Sequence, residues 1–153
     1  MEESAVVDID FLTEYRKTFH IKPMDAASYS PLVLAYMGDA VYELMIRTKI
    51  VNEGNMQVHK MHRKSSGLVK AETQAKIIKS LEPELTPEET AVYKRGRNAK
   101  SATMAKHAAM IDYRMATGFE ALIGYLFLTE QFVRLVELTG KGLERLGEFE
   151  PDE

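Results

Sequence analysis

The sequence predicts an all-α fold. Apolar residues recur at helical spacing along nearly the whole chain, and no stretch alternates apolar with polar long enough to make a strand. Helix start and stop signals punctuate the pattern at Ser30-Pro31, Gly54-Asn55, Pro83 and Thr86-Pro-Glu-Glu89. At 153 residues the chain is long enough for one domain with an ordinary core.

Within residues 1–22, Val6 to Phe19 has enough apolar residues for a short helix that Asp8 and Asp10 interrupt. Ser30 is an N-cap with proline at the first helical position, so a long helix runs to about Asn52 and stops at Gly54-Asn55. A second helix covers about Met56 to Lys70, and a third covers Glu72 to Leu81, halted before Pro83. Thr86-Pro-Glu-Glu89 is a capping box, and the helix it starts is expected to fade near Gly96. Residues 97–112 read as a loop. Asp112 then caps a helix from Tyr113 to Leu128, and the last helix runs from about Glu130 to Leu146. Gly38, Ala40, Gly118, Ala121 and Gly124 are small residues inside helices, where glycine costs about 0.5–1 kcal/mol. They imply that the two helices carrying them cross closely.

There is no cysteine, which excludes a disulfide framework, thiolate catalysis and a zinc–thiolate site. The acidic start, Met1-Glu-Glu-Ser, argues against a secretory signal. The longest apolar run, Ala121 to Leu128, is far shorter than a membrane span. A reducing cytoplasm fits these features. The net charge of −3 conceals an uneven distribution: His59 to His107 is basic, and the acidic residues gather towards the two ends. A basic middle in a mildly acidic chain points to a face for a polyanion.

Two carboxylates are isolated within apolar helix patterns. Asp39 and Glu43 are the only charged residues between Ala26 and Ile46, and Glu120 is the only one between Met115 and Thr129. A charge against apolar surface is costly unless it is paired. Asp39 and Glu43 share a helix face. Carboxylates converging from two helices are hard oxygen ligands suited to magnesium or manganese. The residues equally allow pairing with Arg47, Arg114 or a backbone donor. Tyr93-Lys-Arg-Gly-Arg-Asn-Ala-Lys-Ser-Ala-Thr103 gathers phosphate-binding side chains at a helix end. It is not a P-loop, because Lys94 and Ala99 stand where glycines are required. A second basic cluster, His59-Lys-Met-His-Arg-Lys-Ser-Ser66, has no further ligand for a zinc site on its histidine pair. No serine has the partners of a nucleophilic triad.

Several of these segments together resemble a known family. Tyr36-Met-Gly-Asp-Ala-Val-Tyr-Glu-Leu resembles the first ribonuclease III signature, and Phe119-Glu-Ala-Leu-Ile-Gly resembles the second. Lys64-Ser-Ser, Ala71-Glu-Thr-Gln-Ala and Lys94-Arg-Gly-Arg-Asn-Ala-Lys-Ser bring the match closer to Mini-ribonuclease III, the short bacterial branch without a double-stranded-RNA-binding domain. The resemblance covers about residues 31–146. It implies an all-helical endonuclease bundle that works as a homodimer on double-stranded RNA, trims the 23S ribosomal RNA precursor and leaves 5′-phosphate and 3′-hydroxyl ends. It makes Asp39 and Glu120 the catalytic metal ligands for Mg2+, with Mn2+ as substitute and Glu43 as a candidate third ligand. Lys64, Ser65, Lys94, Arg95, Arg97, Asn98, Lys100 and Ser101 match RNA-contacting positions. A ribosomal protein that presents the RNA is an expected further partner. On this reading residues 1–25 are a variable extension, 26–146 the catalytic domain and 147–153 an acidic tail.

The chain departs from full-length ribonuclease III at two positions, with Ala35 and Thr117 where that family carries carboxylates. The Mini branch shows the same reduction. Two rival readings are a non-catalytic RNA-binding module on the same fold and a helical interaction protein with a structural ion-pair core.

Overall fold

The structure is a computed structural model that describes residues 10–100 and 107–148, with the side chains of residues 107 and 108 left out. Among the described residues it holds seven α-helices and no strand. They are α1 (Phe11–Thr18), α2 (Pro31–Val51), α3 (Val58–Val69), α4 (Ala71–Leu81), α5 (Pro87–Asn98), α6 (His107–Leu128) and α7 (Phe132–Arg145). Single 3-10 turns at Ala26–Ser28 and Glu82–Glu84 serve as connectors. None of these helices is long and apolar enough to cross a membrane.

The expected start signals act as caps. The Ser30 hydroxyl accepts from the Val33 amide at 3.3 Å, with Pro31 entering the first turn. Thr86 and Glu89 exchange both bonds of a capping box, at 2.9 and 3.1 Å. Asp10 was expected to interrupt the first helix; instead it caps α1, accepting from the Leu12 amide at 3.1 Å. The expected residues before it lie outside the described part. A larger correction concerns α6. It begins at His107, not Tyr113, so Asp112 sits within the helix and does not cap it. Ala108, Ala109, Met110 and Ile111 contain no breaker, and helical spacing continues through them. The expected loop from residue 97 shrinks at both ends, because α5 also continues to Asn98.

Helix α6 is the central strut. It packs against α2, α5, α4 and α7, which is why Phe119, Leu122, Ile123 and Leu126 are all fully buried. Tyr42 of α2 meets Phe119 edge-on, with ring centroids 5.4 Å apart. Its hydroxyl donates to the Leu68 carbonyl at 2.7 Å, tying α2 to α3. A second tie joins α5 to α7. The Glu89 carboxylate, almost wholly buried, accepts from the Arg134 guanidinium at 2.8 and 2.9 Å. That hydrogen-bonded guanidinium is the main cause holding Glu89 below the usual carboxylate range.

The closest approach is between α2 and α6. A Cβ placed on Gly38 would collide with the Glu120 carbonyl and stand 2.8 Å from the Gly124 amide nitrogen. One placed on Gly124 would collide with the Leu34 carbonyl and stand 3.0 Å from the Gly38 nitrogen. The two backbones touch because neither position carries a side chain. Gly96 and Gly118 do the same for α5 on α6. Ala40, also expected at the crossing, is exposed.

Gly38→Ala and Gly124→Ala should each lose about 3 kcal/mol or more, since no flexible side chain can yield at either contact. Gly140→Ala, on α7 with nothing near its missing Cβ, should gain about 0.5–1 kcal/mol. Urea midpoints measure all three. Equal midpoints for the three variants would contradict this account of the crossing.

Candidate active site

The glycine crossing brings the two isolated carboxylates together. Asp39 follows Gly38 on α2, and Glu120 lies one turn before Gly124 on α6. Asp39 is exposed, contrary to the expectation that both acids sit against apolar surface, and Glu120 is half-buried. The Glu120 carboxyl is pushed up to about 8, first by burial, then by the charge of Asp39 and a hydrogen bond with it. Among the described residues no lysine or arginine forms an ion pair with either acid. Arg47, which the sequence left open as a partner, bonds Glu43 at 2.7 and 3.2 Å.

Glu43 is thus engaged on its own helix, and the described residues contain no cluster of three potential metal ligands. The two reduced positions have clear local uses. Ala35 packs with Leu34, Val92 and Ala121, where a carboxylate would be stranded in apolar surroundings. The Thr117 hydroxyl donates to the Tyr113 carbonyl at 2.9 Å on its own helix.

The basic residues do not form one patch. Lys94, Asn98 and Lys100 are exposed at the end of α5, and the Arg97 guanidinium lies over the Tyr93 ring, 5.6 Å from its centroid. Arg95 points to the opposite side of α5, lining a cleft with Met24, Glu88 and Tyr125. Ser101 lies outside the described residues. On α3, Lys64 pairs with Glu53 at 2.8 Å, and Ser65 is buried, its hydroxyl donating to the His62 carbonyl. The structure therefore turns Ser65 inward, engages Lys64 with Glu53 and faces Arg95 away from Arg97. Sequence reasoning missed Tyr93. Its only signal is its place four residues before Arg97, since a buried tyrosine otherwise reads as core.

A family model described as the Ribonuclease III domain matches residues 32–131. The chain belongs to the ribonuclease III family. Within it, relatives named Mini-ribonuclease 3 place the chain in the Mini-ribonuclease III branch. The protein of Clostridium tetani is 50% identical over 115 residues, 74% of this chain and 76% of the relative. That of Enterococcus faecalis is 45% identical over 126 residues, 81% and 96% of the two chains. A crystal structure of a protein from Fusobacterium nucleatum superposes with a TM-score of 0.70 at 26% identity, covering 76% of this chain and 95% of the other. Family membership makes the chain an endoribonuclease of the ribonuclease III type.

The raised Glu120 has a consequence for the metal-free protein. Its folded pKa exceeds the unfolded value, so the folded state holds the proton more tightly. The resulting stability is fully present below the ordinary carboxylate range and is lost as pH rises through about 8. In chelator, the melting temperature should fall between pH 5 and pH 8.5, and Glu120→Gln should flatten that fall. Parallel pH profiles for the two proteins would contradict the raised value.

Proposed function

We propose that the chain is a metal-dependent endoribonuclease that cuts double-stranded RNA, with Asp39 and Glu120 as its catalytic metal ligands. The observation that carries this reading is the meeting of those two acids at the glycine crossing with no basic side chain paired to either among the described residues. Two facing carboxylates, one desolvated, form a donor set that suits a hard divalent cation such as Mg2+, with Mn2+ as substitute. When bound, such an ion supplies the Lewis acidity that phosphodiester hydrolysis needs. Asp39 and Glu120 hold it and fix its place relative to the substrate. Lys94, Arg97 and Lys100 bind backbone phosphates and set the register of the duplex, and Asn98 adds a neutral contact. A-form RNA is read mainly by shape and 2′-hydroxyl groups. Water is the nucleophile, and breaking the P–O3′ bond leaves 5′-phosphate and 3′-hydroxyl ends.

The working unit on this reading is a homodimer. Val33, Tyr36 and Leu44 lie on one face of α2 and are 47%, 82% and 66% exposed. Asp39 borders that apolar face. A second copy packed there would bury it and bring a second pair of acids, which cutting both strands requires. The precursor of 23S ribosomal RNA, presented by a ribosomal protein in the cytoplasm, is the substrate the Mini branch suggests.

A ribosomal-RNA precursor stem should be cut on both strands in magnesium and left intact in EDTA. Glu120→Ala should abolish cutting while keeping duplex affinity within about threefold, since phosphate contacts supply most of the binding. Duplex binding by the wild type without cuts, in either metal, would instead favour a binding module. Leu44→Glu should sediment as a monomer where the wild type sediments at twice that mass; a wild-type monomer at micromolar concentration would contradict the dimer.

A further inference from the structure

Arg114, which the sequence left open as a partner for the isolated acids, is exposed on α6 and forms no ion pair among the described residues. It lines a cleft of about 290 Å³ together with Arg97 and Asn98 from the end of α5. Two guanidiniums from two helices thus border one opening. Like charges kept together are unfavourable unless an anion lies between them. The one acid among the described lining residues is Glu82. It is exposed to water and hydrogen-bonded with the buried Tyr93 phenol, so the two arginines outweigh it.

One of the two arginines is held in place before any ligand arrives. The Arg97 guanidinium lies over the Tyr93 ring, 5.6 Å from its centroid. Its Nε donates to the Asn98 Oδ1 at 3.3 Å, which leaves the Asn98 amide nitrogen, a pure donor, for a ligand. Tyr93 is fixed in turn, because its ring is seated on Gly118, whose missing Cβ would stand 2.7 Å from two ring carbons. The accessible charged and amide groups on the α5 and α6 sides are therefore donors, two planar guanidinium forks and one amide. A phosphodiester accepts only and presents two charged oxygens, which suits such a set. Arg114 and Glu120 are six residues apart on α6, about 9 Å along its axis. One rigid helix thus carries both this cation and a proposed metal ligand.

We infer that Arg97 and Arg114 clamp one non-reacting phosphate of the RNA, with the Asn98 amide as a third donor. The inference rests on the ribonuclease reading above and adds Arg114, which lies beyond the basic segment that ends at Thr103, as a substrate-binding residue. By fixing one phosphate at a set place relative to Glu120, the clamp selects which neighbouring phosphodiester meets the acids.

The test is equilibrium binding by fluorescence anisotropy, in chelator so that nothing is cut. The RNAs are one ribosomal-RNA precursor stem and a set of copies, each with a single uncharged methylphosphonate at successive positions around the cut. At one position the wild type should lose about tenfold in affinity, the size of a charge-assisted contact. Arg114→Ala should bind the unmodified stem about tenfold more weakly, with a salt slope reduced by about one. It should also show no further loss at that position, and Arg97→Ala should erase the loss at the same position. Arg114 is exposed, so its truncation leaves the core intact. A loss that persists in Arg114→Ala, or no position-specific loss in the wild type, would overturn the clamp. Losses erased at different positions by the two variants would overturn the sharing of one phosphate. Wild-type protein with the unmodified stem in magnesium is run in parallel: binding there without cutting counts against the nuclease reading alone.

Discussion

The close crossing of α2 and α6 at Gly38 and Gly124 is the constraint on which the site depends. Each glycine faces the backbone of the other helix, so two chains touch where side chains would normally hold them 8–10 Å apart. This brings Asp39 and Glu120 within hydrogen-bonding reach. It also leaves the opposite face of α2, with Tyr36 and Leu44, pointing outward. One packing decision therefore places both the acids and the apolar surface proposed to meet a second copy. The large stabilisation of the core, from Tyr42, Phe119, Leu122 and Ile123, works in the service of that crossing.

The site is sparse by the standard of its family. Two positions that carry acids in full-length ribonuclease III are given over to packing and to a local hydrogen bond, at Ala35 and Thr117. Glu43 is held by Arg47 on its own helix. What remains is a single pair of acids, one of them half-buried and pushed towards neutrality first by that burial and then by the other. Such a pair is unfavourable by itself, and a cation is the simplest remedy. The structural cost and the proposed chemistry thus have the same origin.

Much of this was legible in the residues because it depends on local rules. Ser30-Pro31 and the Thr86–Glu89 box set helix starts through side-chain-to-amide bonds that need only neighbours in sequence. The small residues at 38, 118 and 124 announced close contact, because glycine in a helix is too costly to keep without reason. The family resemblance added what spacing alone left open. What the sequence concealed depends on three dimensions. The start of α6 was obscured because the composition around residue 100 resembles a loop, while His107 to Asp112 contains nothing that ends a helix. Ser65 reads as a surface hydroxyl but turns inward on α3. Arg95 and Arg97 are near neighbours in sequence yet face opposite sides of α5. Nor did any pattern reveal that Tyr93 is buried beneath the Arg97 guanidinium.

The central claim, that the crossing builds a cation site from Asp39 and Glu120, can be tested without any RNA. Electron paramagnetic resonance of free Mn2+ during titration with wild-type protein, Asp39→Asn and Glu120→Gln measures it directly. The account predicts loss of free Mn2+ signal with wild type at a stoichiometry of at least one ion per chain, competition by Mg2+, and weakening by about tenfold or more in either variant. Binding that is equal in all three proteins, or absent from the wild type, would contradict it.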